Sequence, residues 1–135
     1  MITKIGQYAL IIRNKRILIL YTLEGDIIGI PGGRLKPDET DPLKGLEREV
    51  EEETGLKIKN ADPFDVRIFN IPGRGHRYGV FFLCDVDRKE IKLSDEHKGY
   101  RWSSYEELIK DFEKFPEIAE LGKDVINKLR GKGLI

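Results

Sequence analysis

Pro31-Gly32-Gly33-Arg34-Leu35-Lys36-Pro37-Asp38-Glu39 leads through Thr40 into Asp41-Pro42-Leu43-Lys44-Gly45-Leu46-Glu47-Arg48-Glu49-Val50-Glu51-Glu52-Glu53-Thr54-Gly55-Leu56. The second segment carries its own helix punctuation. Asp41 suits an N-cap and Pro42 the first helical position, because proline lacks only an N–H that the first turn leaves unpaired. Gly55 stands where a helix end needs a residue free to take positive φ. Between them Leu43, Leu46 and Val50 form one apolar stripe, so the helix packs on a core. Five glutamates, Glu47, Glu49, Glu51, Glu52 and Glu53, lie within the seven residues 47–53. Like charges at helical spacing repel unless water or a cation neutralises them.

Helical geometry divides the five. Glu49, Glu52 and Glu53 share a face that borders the apolar stripe, while Glu47 and Glu51 point towards solvent. Taken alone, the run reads as a solvated acidic face with Lys44 and Arg48 as partners. The preceding turn changes that reading. Gly32 and Gly33 let the backbone pass close to a ligand. Three carboxylates at the edge of a core are an oxygen-only donor set suited to a hard cation such as Mg²⁺.

The flanks read as sheet and helix. Tyr8-Ala9-Leu10-Ile11-Ile12 and Arg16-Ile17-Leu18-Ile19-Leu20-Tyr21 predict a hairpin around Arg13-Asn14-Lys15, and a loop through Glu24-Gly25-Asp26 leads to Ile27-Ile28-Gly29-Ile30. Asp65 to Ile71 predicts a strand and Pro72-Gly73-Arg74-Gly75 a turn. His76 to Val86 predicts a long strand apolar on both faces, which places helices on each side of it. Tyr100-Arg101-Trp102 predicts a short strand, Ser103-Ser104-Tyr105-Glu106 a capping box, and Ile118 to Leu129 a terminal amphipathic helix. The order gives an α/β fold, a mixed sheet between helices. It is expected as one domain over residues 1–135.

Composition narrows the partners. The 135 residues carry 24 basic and 24 acidic side chains, so no global field draws the chain to nucleic acid or an anionic membrane. An anionic substrate would have to be held by local groups or by metal. The single Cys84 excludes an intramolecular disulfide and reads as a small buried hydrophobe. No apolar stretch reaches the roughly 18 residues of a membrane span, and the N-terminus lacks a signal-peptide core. The expectation is a soluble cytoplasmic protein with a homodimer left open.

Gly33, Glu39 and then Arg48-Glu49-Val50-Glu51-Glu52-Glu53-Thr54-Gly55-Leu56 resemble the Nudix box: Gly, five residues, Glu, seven residues, then Arg-Glu-apolar-any-Glu-Glu-any-Gly-apolar. The chain departs from that pattern in one place. Eight residues, Thr40 to Glu47, separate Glu39 from Arg48. The extra one falls before the helix, leaving the register of Arg48 to Gly55 intact and the place of Glu39 open. Ile28 also stands where relatives often carry Trp.

The resemblance implies a Nudix-like α/β/α sandwich. It implies hydrolysis of a nucleoside diphosphate linked to a further group, in which Glu49, Glu52 and Glu53, with the Gly33 carbonyl, ligate Mg²⁺ or Mn²⁺. Arg48 would orient a carboxylate. Glu52 or Glu96 would serve as general base. Gly32, Gly33, Arg74 and Arg77 are candidates for gripping the substrate, although the arginines, with His76, equally read as an exposed basic hairpin tip. The nucleotide could be a nucleoside triphosphate, ADP-ribose, a dinucleoside polyphosphate or a capped RNA end. The reading from another class is a non-catalytic module that senses a nucleotide on the same fold.

Overall fold

Strand alternation and helix caps build two helical layers around one sheet. The computed structural model describes residues 4–22, 28–71, 73 and 75–135. The chain runs β1 (Lys4–Arg13), β2 (Arg16–Thr22), β3 (Ile28–Gly29), β4 (Gly32–Arg34), α1 (Pro42–Thr54), β5 (Ile58–Ile71), β6 (Gly75–Val86), β7 (His97–Ser103), α2 (Tyr105–Lys114) and α3 (Pro116–Gly131). The sheet order is β3-β2-β1-β6-β5, with β4 added to β1 and β7 to β2. The β1–β6 pairing is parallel and the other pairings are antiparallel, so the sheet is mixed as expected.

Each face of the sheet has its own core. Leu46 and Val50 of α1, with Leu56, pack on Ala9, Ile11, Leu18, Leu20, Phe82, Cys84 and Val86. On the other face Leu108 and Phe112 of α2 and Val125, Ile126 and Leu129 of α3 cover Leu10, Ile17, Ile19 and Phe81. Burial from both sides explains why β6 is apolar at consecutive positions. Cys84 lies inside the first core, and burial pushes its thiol up to about 12, as a small hydrophobe rather than a nucleophile.

The hairpin between β1 and β2 turns on Asn14 (φ 52°) and Lys15 (φ 61°). Two consecutive positive φ values define the tight turn whose twist matches the flanking strands. Helix α1 begins and ends where its punctuation predicts. Asp41 Oδ1 accepts from Leu43 N (3.0 Å), and Gly55 takes φ 75° while its N–H donates to Glu51 O.

Four boundaries differ from the sequence reading. β5 starts at Ile58, seven residues before the expected Asp65. Asn60-Ala61-Asp62-Pro63 looks like a turn, but β5 is an edge strand, where the missing N–H of proline breaks no ladder bond; register shifts at Ile58/Asn60 and Pro63/Asp65 absorb the irregularity. β7 extends from His97 to Ser103 because it pairs along the length of β2. The capping box lies one residue later than expected: Ser104 Oγ accepts from Glu107 N, and Ser104 N donates to Glu107 Oε1. Ser103, fully buried, belongs to the strand. α3 begins at Pro116 instead of Ile118. The expected loop through Glu24-Gly25-Asp26 and the residue Ile27 lie outside the described residues.

Candidate active site

The Gly32–Gly33 strand and the last two turns of α1 meet at one edge of the sheet. β4 pairs with β1 so that Gly33 lies opposite Gln7 and Gly32 opposite Tyr8. Gly32 has φ 145°, and its N–H donates to Glu53 Oε2 (3.2 Å). Gly33 is as close to Glu49: a Cβ on it would sit 3.1 Å from Glu49 Oε1. The two glycines thus bring bare backbone against two carboxylates, as the turn's composition suggested.

These carboxylates are set in a poor place for negative charge. Glu53 is 7% exposed. Its pKa is pushed up to about 9, first by burial and then by the adjacent Glu49, which accepts a hydrogen bond that only a protonated Glu53 can donate; the Gly32 N–H opposes both effects. The negative end of the helix dipole lies at the same turns, and no basic residue occupies the last one.

Glu52 and Arg48 complete the face. Arg48 Nη1 donates to Glu49 Oε1 (3.1 Å) and to Glu52 Oε2 (3.2 Å). Its other donors grip Glu39, with Nε to Oε2 at 3.0 Å and Nη2 to Oε1 at 2.8 Å. This two-point pairing settles the place of Glu39. The extra residue before α1 does not detach it, because the Pro37-Asp38 turn folds back: Glu39 N donates to Lys36 O and Lys36 N to Glu39 Oε1. The Arg48 guanidinium and the Lys36 amide hold the Glu39 carboxyl down at about 2.

The remaining candidates fall in different places. Glu96 is exposed in the loop before β7. That loop is tied to the end of α1 by Lys92 N to Thr54 O and Ser94 N to Glu53 O, which brings the Glu96 charge within electrostatic reach of Glu53. Glu47 and Glu51 are exposed, as the helix face predicted. Arg77 corrects the hairpin-tip reading. It is 5% exposed inside β6, in register with Lys4 of β1 and Phe69 of β5, and its guanidinium hydrogen-bonds the Tyr8 side chain. The strand already begins at Gly75, which carries Arg77 into the sheet. Arg74 lies outside the described residues. Tyr8 and Gln7, neither singled out by their local sequence, enter only through the β1–β4 pairing.

The donor chemistry fits a hard divalent cation: adjacent carboxylates in an electrostatic environment that disfavours bare charge. Among the described residues no three His, Cys, Asp or Glu side chains already converge on one point. Glu49 and Glu53 adjoin each other, whereas Glu52 is turned outward to Arg48 with its side chain 56% exposed.

The raised Glu53 pKa sets the sign of a stability effect in the metal-free protein. Its native pKa lies above the unfolded value near 4.5, so the native state holds the proton more tightly. Its contribution is full below about pH 4.5 and is lost as pH rises towards 9. Thermal melts in EDTA should therefore show wild type losing stability between pH 5 and pH 9 relative to Glu53→Gln. Parallel curves for the two proteins would contradict this.

A mixed sheet between helices, a glycine strand and a glutamate-bearing helix held by an arginine clamp define the Nudix class of domain. The NUDIX domain family model matches residues 3–125, and the chain belongs to that family. It is 30% identical over 113 residues to Nudix hydrolase 6 of Arabidopsis thaliana, an alignment covering 78% of this chain and 40% of that protein. It is 32% identical over 82 residues to the asymmetrical bis(5'-nucleosyl)-tetraphosphatase of Mus musculus, covering 57% of this chain and 55% of the relative. The chain thus spans about half the length of these curated relatives. Among solved structures, the MutT protein from Methanosarcina mazei Go1 superposes with a TM-score of 0.70 at 29% identity, covering 90% of this chain and 94% of that one. No helix among the described residues is long and apolar enough to cross a membrane.

Proposed function

We propose that the protein hydrolyses a phosphoric anhydride bond in a nucleoside diphosphate derivative, using Mg²⁺ or Mn²⁺ held by Glu49, Glu52, Glu53 and the Gly33 carbonyl. One observation carries the reading: two adjacent carboxylates, one of them buried, are pressed against the two glycines of β4 at the negative end of a helix. A fold retains that arrangement where a cation offsets the charge. When bound, the cation would screen phosphate charge and lower the pKa of a water.

The chain's own residues supply the rest. Glu53 is fixed by the Gly32 N–H, and Arg48 directs Glu49 and Glu52. Glu52 and Glu96 retain the solvent access needed to take a proton from the attacking water, on a carboxylate oxygen. The mouse relative's name supports dinucleoside polyphosphates as one class of substrate, alongside nucleoside triphosphates and ADP-ribose.

The test is a panel of these nucleotides incubated with Mg²⁺, with separation of the phosphorylated products. At least one member should be cleaved with Mg²⁺ and none in EDTA. If no member is cleaved while nucleotide binding is retained, the protein is a sensing module instead.

A further inference from the structure

Gln7 is fully buried on β1, and neither its amide Nε2 nor its Oε1 has a hydrogen-bond partner. An amide enclosed in this way costs stability that an apolar side chain of the same shape would not. Its position explains what it could serve. Gln7 lies opposite Gly33 of β4 and beside Val80 of β6, under the flank of α1 that carries Gly45. A Cβ on Gly45 would stand 3.2 Å from Gln7 Nε2, 3.3 Å from Glu39 Oε2 and 3.0 Å from Leu35 Cδ1. The absence of a side chain on Gly45 therefore leaves the amide nitrogen and a Glu39 oxygen on either side of the position its Cβ would take.

Glu39 is the next link. Both of its oxygens are held by Arg48, whose remaining Nη1 is shared between Glu49 and Glu52. From Glu39 the hydrogen bonds run without a break to the glutamate face, and the step from Gln7 to Glu39 is the one they do not span. We propose that Gln7 is a positioning residue: its amide engages Glu39 from below and, through the Glu39–Arg48 pair, fixes the direction in which Arg48 presents Glu49 and Glu52. The inference rests on the reading of that face as the metal site. Groups that orient metal ligands commonly govern affinity by about tenfold or more.

Gln7→Met keeps the side-chain length and removes its polarity, and Gln7→Leu is the second variant should the first not fold. Three measurements decide. The variant should melt at or above wild type. Exchange of the Arg48 Nε–H, followed by ¹⁵N NMR in metal-free protein, should be faster. Mn²⁺ should bind about tenfold more weakly, with kcat reduced more than KM is raised. Unchanged Arg48 exchange and unchanged Mn²⁺ affinity overturn the proposal. So does a lower melting point with activity lost only in step with the folded fraction, which marks a purely structural residue. If wild type itself fails to bind Mn²⁺, the metal reading falls, and the Arg48 exchange measurement still decides the role of Gln7.

Discussion

Glu53→Gln should lower turnover at least about a hundredfold while leaving the protein folded. The two halves of that expectation have separate causes. Glutamine keeps the oxygen that accepts the Gly32 N–H, so the strand-to-helix contact survives. It also removes a buried acid whose charged form the site disfavours, so the metal-free variant should be at least as stable as wild type at pH 9. What it cannot supply is the negative charge that a divalent cation would need from the most enclosed of the proposed ligands. Circular dichroism, Mn²⁺ titration and a single-turnover assay on the best substrate of the panel would separate these effects. Near-normal activity in Glu53→Gln would remove Glu53 from the metal site. A collapsed fold would instead show that the carboxylate is a structural group.

The sequence carried the helix and the inward setting of Glu49 and Glu53, because their signals are local; Glu52, expected on the same face, is turned outward to Arg48 with its side chain 56% exposed. Asp41, Pro42 and Gly55 act within a turn of themselves, and 3.6-residue periodicity alone separates Glu53 from Glu51. The strand pairing was less legible. Asn60 to Pro63 has turn chemistry, and only the sheet's edge permits it to be strand. Arg77 reads as a basic residue beside a glycine-rich turn, yet the start of β6 at Gly75 buries it against Tyr8. The fate of Glu39 depended on how a loop absorbs one residue, which spacing does not reveal and the Lys36–Glu39 turn does. Gln7 carries no local signal at all. Its significance arises only because β1 pairs with β4 while Gly45 lets α1 approach.

Gly32→Ala should destabilise the protein by about 3 kcal/mol, combining backbone strain with overpacking. The backbone there has φ 145°, a region that side chains rarely enter. A methyl group would also collide with the Gln7 carbonyl oxygen and stand 2.8 Å from Tyr8 Cα. Both obstacles are backbone atoms of β1, a strand paired on both sides, so neither can swing aside as a side chain would. Relief must come from pulling β4 away, and this would draw the Gly32 N–H off Glu53. Gly33→Ala should behave differently. Gly33 does not take a positive φ, and its methyl would press on the Glu49 carboxylate at 3.1 Å, the end of a movable side chain. That variant should stay folded and lose metal affinity. Gly29→Ala, with nothing within 4 Å of the added methyl, serves as the control and should shift stability by less than about 0.5 kcal/mol. Urea denaturation of the three variants ranks them. A Gly32→Ala protein within 1 kcal/mol of Gly29→Ala would mean that β4 yields freely, and that the glycine strand is not what holds Glu53 in place.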